Sequence, residues 1–251
     1  MRPKLIAGNW KMNKLVSDAL PWAEELAGEL GTPRTGIELL LCVPATHLHP
    51  LRQELQDSGV RLGAQDLSSH DEGAYTGEIS GAMLRDAGAD FVLVGHSERR
   101  RYHGEDDALL NAKLRAAQRS WLTPILCVGE DEEERDAGRA NAVVLAQLEG
   151  ALDGLEINSA RELVIAYEPV WSIGTGRTAT PADAQNMCSV IRAWLDDRFP
   201  EVGNRLRILY GGSMNPMNAA ELLAQPDIDG GLIGGASLDV SDLLAIYGAV
   251  Q

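Results

Sequence analysis

The chain has 251 residues, 45% of them hydrophobic, enough for one large core or two small ones. Its formal net charge of −15 argues against nucleic-acid binding, which needs a basic face, and would repel anions at long range, so any anion site has to be made locally. The cysteines Cys42, Cys127 and Cys188 are far apart with no C-x-x-C, no apolar h-region opens the chain, and no apolar run approaches the roughly 20 residues of a membrane span; the expectation is a cytoplasmic protein with packed thiols and no membrane attachment.

From the N-terminus, KLIAGNW (4–10) predicts a strand and residues 17–30 a helix; IELLLCV (37–43) and 45–57 repeat the pair, as do VRLGAQ (60–65) and 79–88. DFVLVGH (90–96) precedes a helix over 106–120, and PILCVGE (124–130) one over 139–152. ELVIAYE (162–168) is followed by the clearest helical stripe, Met187, Val190, Ile191 and Trp194 at i, i+3, i+4 and i+7, with Ser189, Arg192 and Asp196 on what reads as the wet face. LRILYGG (206–212) leads to a shorter helix over 216–224, and DGGLIGG (229–235) to the last helix, 239–248. The strand runs are apolar at successive positions, which suits a parallel sheet covered on both faces. Acidic stretches at Glu105–Asp107 and Glu130–Glu134 read as solvated first turns of helices. With no Pro/Ser-rich linker, the pattern implies one α/β domain over residues 1–251. Right-handed crossovers allow an open doubly wound sheet or a closed (β/α)8 barrel, and eight units in this length is the usual size of the barrel.

In such a barrel the functional residues stand at the C-terminal ends of the strands. Those ends carry Asn9, Trp10 and Lys11; His96, Ser97 and Glu98, followed by three arginines; Glu168; Gly211, Gly212 and Ser213; and Gly234 and Gly235. The glycines let backbone N–H groups approach a ligand closely, and a short helix starting near Ser213 would complete an anion cradle. His47-Leu48-His49 has ligand-like spacing but reads as a loop after Pro44 without a Cys partner, and no G-x-G-x-x-G follows the first strand, so neither a metal nor a dinucleotide cofactor is expected. Residues 166–176, AYEPVWSIGTG, place a carboxylate at a strand end and a Gly-rich loop directly behind it. Pro169 biases Glu168 toward extended backbone, and a loop closing over a carboxylate would exclude water and strengthen it as a base.

The segments AGNWKMN (7–13), GAYTGEIS (73–80), VGHSERR (94–100), YEPVWSIGTG (167–176), YGGS (210–213) and GLIGGASL (231–238), in this order and across nearly the whole chain, make the sequence similar to the triosephosphate isomerases. The resemblance implies interconversion of dihydroxyacetone phosphate and glyceraldehyde 3-phosphate through an enediolate, in glycolysis and gluconeogenesis. It implies Glu168 as the base, His96 as a neutral electrophile, Lys11 and Asn9 as substrate-binding groups, and Gly174, Ser213, Gly234 and Gly235 as the phosphate clasp. It also implies Glu98 behind Lys11, a lid carrying Trp171, Ile173, Gly174 and Gly176, and a homodimer in which loop 73–78 carries Thr76 toward Asn9 and Lys11 of the second subunit. Two departures stand out: Ser172 where Ala is common and Lys14 where Gly is frequent. A Schiff-base aldolase would want a lysine in the sixth strand, which carries Glu168 instead, and a non-catalytic phosphate binder would not need Glu168, His96 and Lys11 together.

Overall fold

Each predicted apolar run coincides with a strand to within two residues at either end: β1 (Lys4–Asn9), β2 (Ile37–Cys42), β3 (Arg61–Ala64), β4 (Phe91–Val94), β5 (Thr123–Val128), β6 (Val164–Tyr167), β7 (Arg207–Tyr210) and β8 (Gly230–Ile233). The computed structural model describes residues 2–172 and 179–250; Ile173, Gly174 and Gly176 of the expected lid lie outside them. All neighbouring strands are parallel, and β1 closes on β8 with Leu5 opposite Gly230 and Gly8 opposite Ile233, which makes a closed barrel rather than an open sheet. The strands end one or two residues short of the predicted runs. At β4 the reason is visible: Gly95 has φ 70, which turns the chain out of the ladder.

The continuous apolar patterning follows from burial on both faces. Leu5, Ala7, Leu40, Cys42, Leu93, Ile125, Val164 and Leu209 fill the barrel interior, while alternate residues such as Ile6, Leu41, Val92, Leu126, Ile165 and Ile208 pack under the helices. The helices are α1 (Val16–Leu30), α2 (Ala45–Glu54), α3 (Gly81–Asp86), α4 (Ser97–His103), α5 (Asp107–Arg119), α6 (Glu132–Asp136), α7 (Ala140–Ala151), α8 (Pro181–Arg198), α9 (Ala219–Leu223) and α10 (Val240–Gly248). Their starts are written in the sequence. Asp106, Asp131, Thr180 and Asp239 each accept a backbone N–H as N-caps, and Thr180 with Asp183 forms a capping box ahead of Pro181.

Several expectations need correction. The arginine run after His96, for which no helix was predicted, lies on α4, whose basic last turn complements the helix dipole. His47 and His49 lie on α2, within the helix predicted over 45–57 and not in a loop after Pro44; the His47 ring is buried, with its nitrogens against Thr46 Oγ1 and the Lys14 carbonyl, while His49 is exposed. The helix expected near Ser213 starts at Ala219, and a 3₁₀ turn, Gly235–Leu238, follows β8. Arg192 is not on a wet face: it is buried, pairs with Asp229 at 2.6 Å and donates to the Gly203 carbonyl at 3.1 Å. The acidic stretches are solvated only in part. Glu105 and Glu130 are buried, the first held by Lys113 and Arg99, the second by three donors behind the site.

Candidate active site

The C-terminal ends of β1, β4, β6, β7 and β8 surround a 380 Å³ cavity lined by Asn9, Lys11, His96, Glu168, Ser213 and Gly234, among others. The fold thus brings Asn9, Lys11, His96, Glu168, Ser213, Gly234 and Gly235 to one rim, while Thr76 and Glu98 are not in the wall of this cavity. Glu168 follows β6 and is 2% exposed. Room for it depends on glycines: a Cβ on Gly129 would stand 1.7 Å from the Glu168 carbonyl oxygen, and one on Gly211 2.9 Å from its Cγ.

The carboxylate has two partners. Its Oε2 accepts the Ser97 N–H at 2.9 Å, and its Oε1 lies 2.8 Å from His96 Nε2. His96 is the N-cap of α4, and its Nδ1 accepts the Glu98 N–H at 3.3 Å. With Nδ1 taken as acceptor, the ring proton of the neutral imidazole sits on Nε2, aimed into the cavity. Burial pulls the His96 pKa down, but the Glu168 charge and hydrogen bond, with Glu98, outweigh it and hold the pKa above its ordinary value. Burial pushes the Glu168 carboxyl up, but the His96 contact and the Ser97 N–H outweigh that and hold it below the usual carboxylate range. Both shifts come from one contact. When Glu168 turns away toward a substrate carbon, His96 loses its strongest upward influence; burial, the largest influence, and Lys11 then act to keep the ring neutral.

Lys11 is held in an uncommon backbone conformation, φ 51. Two bonds fix it there: its N–H donates to Asn9 Oδ1 at 3.0 Å, and its carbonyl accepts from Gln65 Nε2 at 2.8 Å. Its Nζ contacts Glu98 Oε1 at 2.7 Å, as the resemblance implied. Gln65 and Ser97 are the participants that sequence reasoning missed. Gln65 is the polar side chain at the C-terminal end of the third predicted strand, which was the available signal; Ser97 acts through its backbone, which leaves none. Lys14 also has positive φ, 66, which explains why Gly suits this position; its ammonium lies 5.4 Å from the Trp10 ring and 5.6 Å from the Trp22 ring.

Behind Glu168, the buried Glu130 gathers Tyr167 Oη at 3.0 Å, Trp171 Nε1 at 2.8 Å and Arg135 Nη1 at 3.1 Å. Trp171 is accordingly packed, with the Arg135 guanidinium 4.3 Å over its ring. Ser172 is buried and donates to the Pro169 carbonyl at 2.9 Å, so its hydroxyl fastens the turn after Glu168. On the opposite wall, Trp10 Nε1 donates to the Ser237 carbonyl and Ser237 Oγ to the Gly234 carbonyl, which ties the 3₁₀ turn to β1. The turn starts beside Lys11, whose Cε is 3.7 Å from where a Gly234 Cβ would be. Thr76 and the rest of loop 73–78 are exposed, and the Tyr75 ring stacks on His70 at 3.8 Å.

A family model described as triosephosphate isomerase matches residues 4–250. The triosephosphate isomerase of Moorella thermoacetica is 51% identical over 246 residues, covering 98% of each chain, and that of Thermus thermophilus is 51% identical over 248 residues with the same coverage. The crystal structure of the triosephosphate isomerase from Bartonella henselae superposes with a TM-score of 0.90 at 42% identity, over 98% of both chains.

Proposed function

The chain belongs to the triosephosphate isomerase family, and from that premise we propose how its residues divide the work. It is an aldose–ketose isomerase that interconverts the triose phosphates dihydroxyacetone phosphate and glyceraldehyde 3-phosphate, a step of glycolysis. Glu168 removes the proton from the carbon beside the carbonyl and returns one to its neighbour. His96 donates from Nε2 to the carbonyl oxygen, a base–electrophile pairing for which this family is itself the standard example. Lys11 neutralises charge that grows on the enediolate oxygens and on the phosphate, Asn9 fixes both Lys11 and the substrate, and Glu98 sets the resting position of the ammonium. Gly174, Ser213, Gly234 and Gly235 hold the phosphate through backbone and hydroxyl groups. That clasp keeps the C–O ester bond out of alignment with the enediolate π system, so phosphate is not expelled before reprotonation.

The observation that carries this reading is the placement of Glu168, 2% exposed, between Ser97 N–H and His96 Nε2 in the same cavity as Lys11. Both partners are ones the carboxylate gives up on turning to a carbon acid. In the resting arrangement they stabilise its charge; without them, burial alone makes it a stronger base. Turnover in deuterium oxide tests it. A carboxylate that holds the proton between two carbons exchanges it with solvent, so product and recovered substrate should carry deuterium at C1 or C2. Complete retention of the substrate hydrogen would mean that no proton passes to a group in exchange with solvent and would count against Glu168 in this role.

The working form we propose is a homodimer in the cytoplasm, each chain a single domain. Loop 73–78 is exposed along its whole length, and Met12, Leu15, Ile79 and Met83 are apolar side chains left in solvent, at 95%, 70%, 38% and 58%. Isologous pairing would cover them and bring Thr76 to the partner's Asn9 and Lys11. The three cysteines are free and buried, as suits a reducing compartment, and among the described residues no helix is long and apolar enough to cross a membrane.

A further inference from the structure

The end of the barrel opposite the catalytic rim carries charge for which isomerisation has no use. A 730 Å³ cavity opens there, at the N-terminal ends of the strands, nearly twice the volume of the catalytic one. Its floor is Phe91, the first residue of β4 and part of the inner layer of the barrel. Arg207, the first residue of β7, is buried with its guanidinium 5.8 Å from the Phe91 ring centroid, and it pairs with Glu38 of β2. Arg61, Arg161 and Arg205 stand around the opening.

The lining therefore holds four guanidiniums and a single carboxylate, on a chain with 22 basic and 37 acidic residues. The local sign is reversed. A structural role, plugging the barrel floor, accounts for Arg207 with Glu38, and for Arg61, which reaches Asp90 at 3.2 Å. Even there the neutralisation is shared, since Asp90 also holds Arg85 at 2.5 Å. It does not account for the other two. Arg205 donates to a carbonyl, that of Glu201, at 2.9 Å. Arg161 is exposed, and among the described residues its guanidinium has no ion-pair partner.

We propose that this mouth is a binding site for a small polyanion carrying two or more phosphate groups. Guanidinium forks match phosphate oxygens two at a time. One exposed ion pair contributes little, so a ligand has to engage several arginines at once, which selects linked phosphates over a single one. The cavity is large enough for them. The arginines come from three separate stretches of chain, around residues 61, 161 and 205–207, and only the folded barrel brings them together. Occupancy must therefore favour the folded state and raise the thermal midpoint.

Inorganic pyrophosphate is the probe, titrated calorimetrically. Because it can also enter the catalytic cradle, the host is Lys11→Met, which weakens that site. One pyrophosphate per chain should still bind to the Lys11→Met protein. Adding Arg161→Gln and Arg205→Gln should weaken this binding by on the order of tenfold for each guanidinium removed, and remove the thermal shift. In an otherwise native chain the same two substitutions, both at exposed positions, should leave kcat and KM unchanged. Orthophosphate should bind the mouth at least tenfold more weakly. The proposal fails if binding disappears with Lys11→Met alone, if it survives the two arginine substitutions undiminished, or if orthophosphate binds as tightly as pyrophosphate.

Discussion

Replacing Glu168 by Asp separates the chemistry from the fold. Removing one methylene retracts the carboxylate by about 1.5 Å. The Ser97 bond, 2.9 Å in the native arrangement, and the 2.8 Å contact with His96 then pass beyond hydrogen-bond reach, and so does the position from which a substrate proton is taken. A misplacement of about 1 Å costs on the order of 10²-fold in rate, or about 2.7 kcal/mol at about 1.36 kcal/mol per decade. The folding cost is smaller. Glu168 is 2% exposed, and one buried methylene contributes about 0.8 kcal/mol; water entering the cavity that Glu168 lines takes over the two lost bonds, which holds their cost to about 1 kcal/mol more. Against a stability of about 5–15 kcal/mol, more than nine-tenths of the chains stay folded. The assay converts glyceraldehyde 3-phosphate to the ketone and follows its reduction by a coupled dehydrogenase, with a thermal melt on the same sample. The expected result is kcat about 100-fold down with a melt only a few degrees lower. A kcat within about threefold of native would show that Glu168 does not take the proton, and a rate loss that parallels unfolding would show that the contact is structural.

Lys11→Met should raise KM sharply and lower kcat, while stability changes by less than about 1 kcal/mol, because its pair with Glu98 is partly exposed; steady-state kinetics with an unchanged KM would place Lys11 outside the site. Deleting residues 73–78 should give monomers with weak activity, and sedimentation that finds the intact protein monomeric at micromolar concentration would refute the pairing. Lys113→Met leaves Glu105, whose side chain is 2% exposed, with Arg99 as its remaining partner, so urea unfolding at neutral pH should show a loss of about 3 kcal/mol. Burial raises the Glu105 pKa, but the bonds from Lys113 and Arg99 outweigh it and hold the folded value below the unfolded one. Its contribution is thus present above about pH 4.3 and lost as pH falls through the folded value; in the variant that loss should begin at higher pH, and urea midpoints with the native pH profile would contradict the assignment.

What the sequence determined by itself was the set of features that depend on near neighbours along the chain. Eight apolar runs alternate with helical stripes because a strand buried on both faces needs successive apolar residues, and a helix against a sheet needs one stripe. Thr180 before Pro181 and Asp183, or Asp106 before α5, fix helix starts through bonds three residues long. Glu168 before Pro169, Lys11 after β1 and the glycine pair after β8 were legible as strand ends, and the rule that sites gather at those ends put them together. Tertiary structure decided whatever depends on residues far apart. Closure of β1 on β8, more than 220 positions later, turned eight units into a barrel. Arg192 read as a wet-face residue because its helix left it there; Asp229 and the Gly203 carbonyl, brought in by β8 and the chain before β7, made it a buried ion. Glu130 read as part of a solvated acidic turn until Trp171 and Tyr167 closed over it from the next strand. The helical turn beside the phosphate clasp lies after β8 rather than at Ser213, and Gln65 and Ser97 entered through contacts with the Lys11 backbone and the Glu168 carboxylate. A charged side chain carries the same local pattern whether water or a distant partner solvates it, and only the folded chain decides which one does.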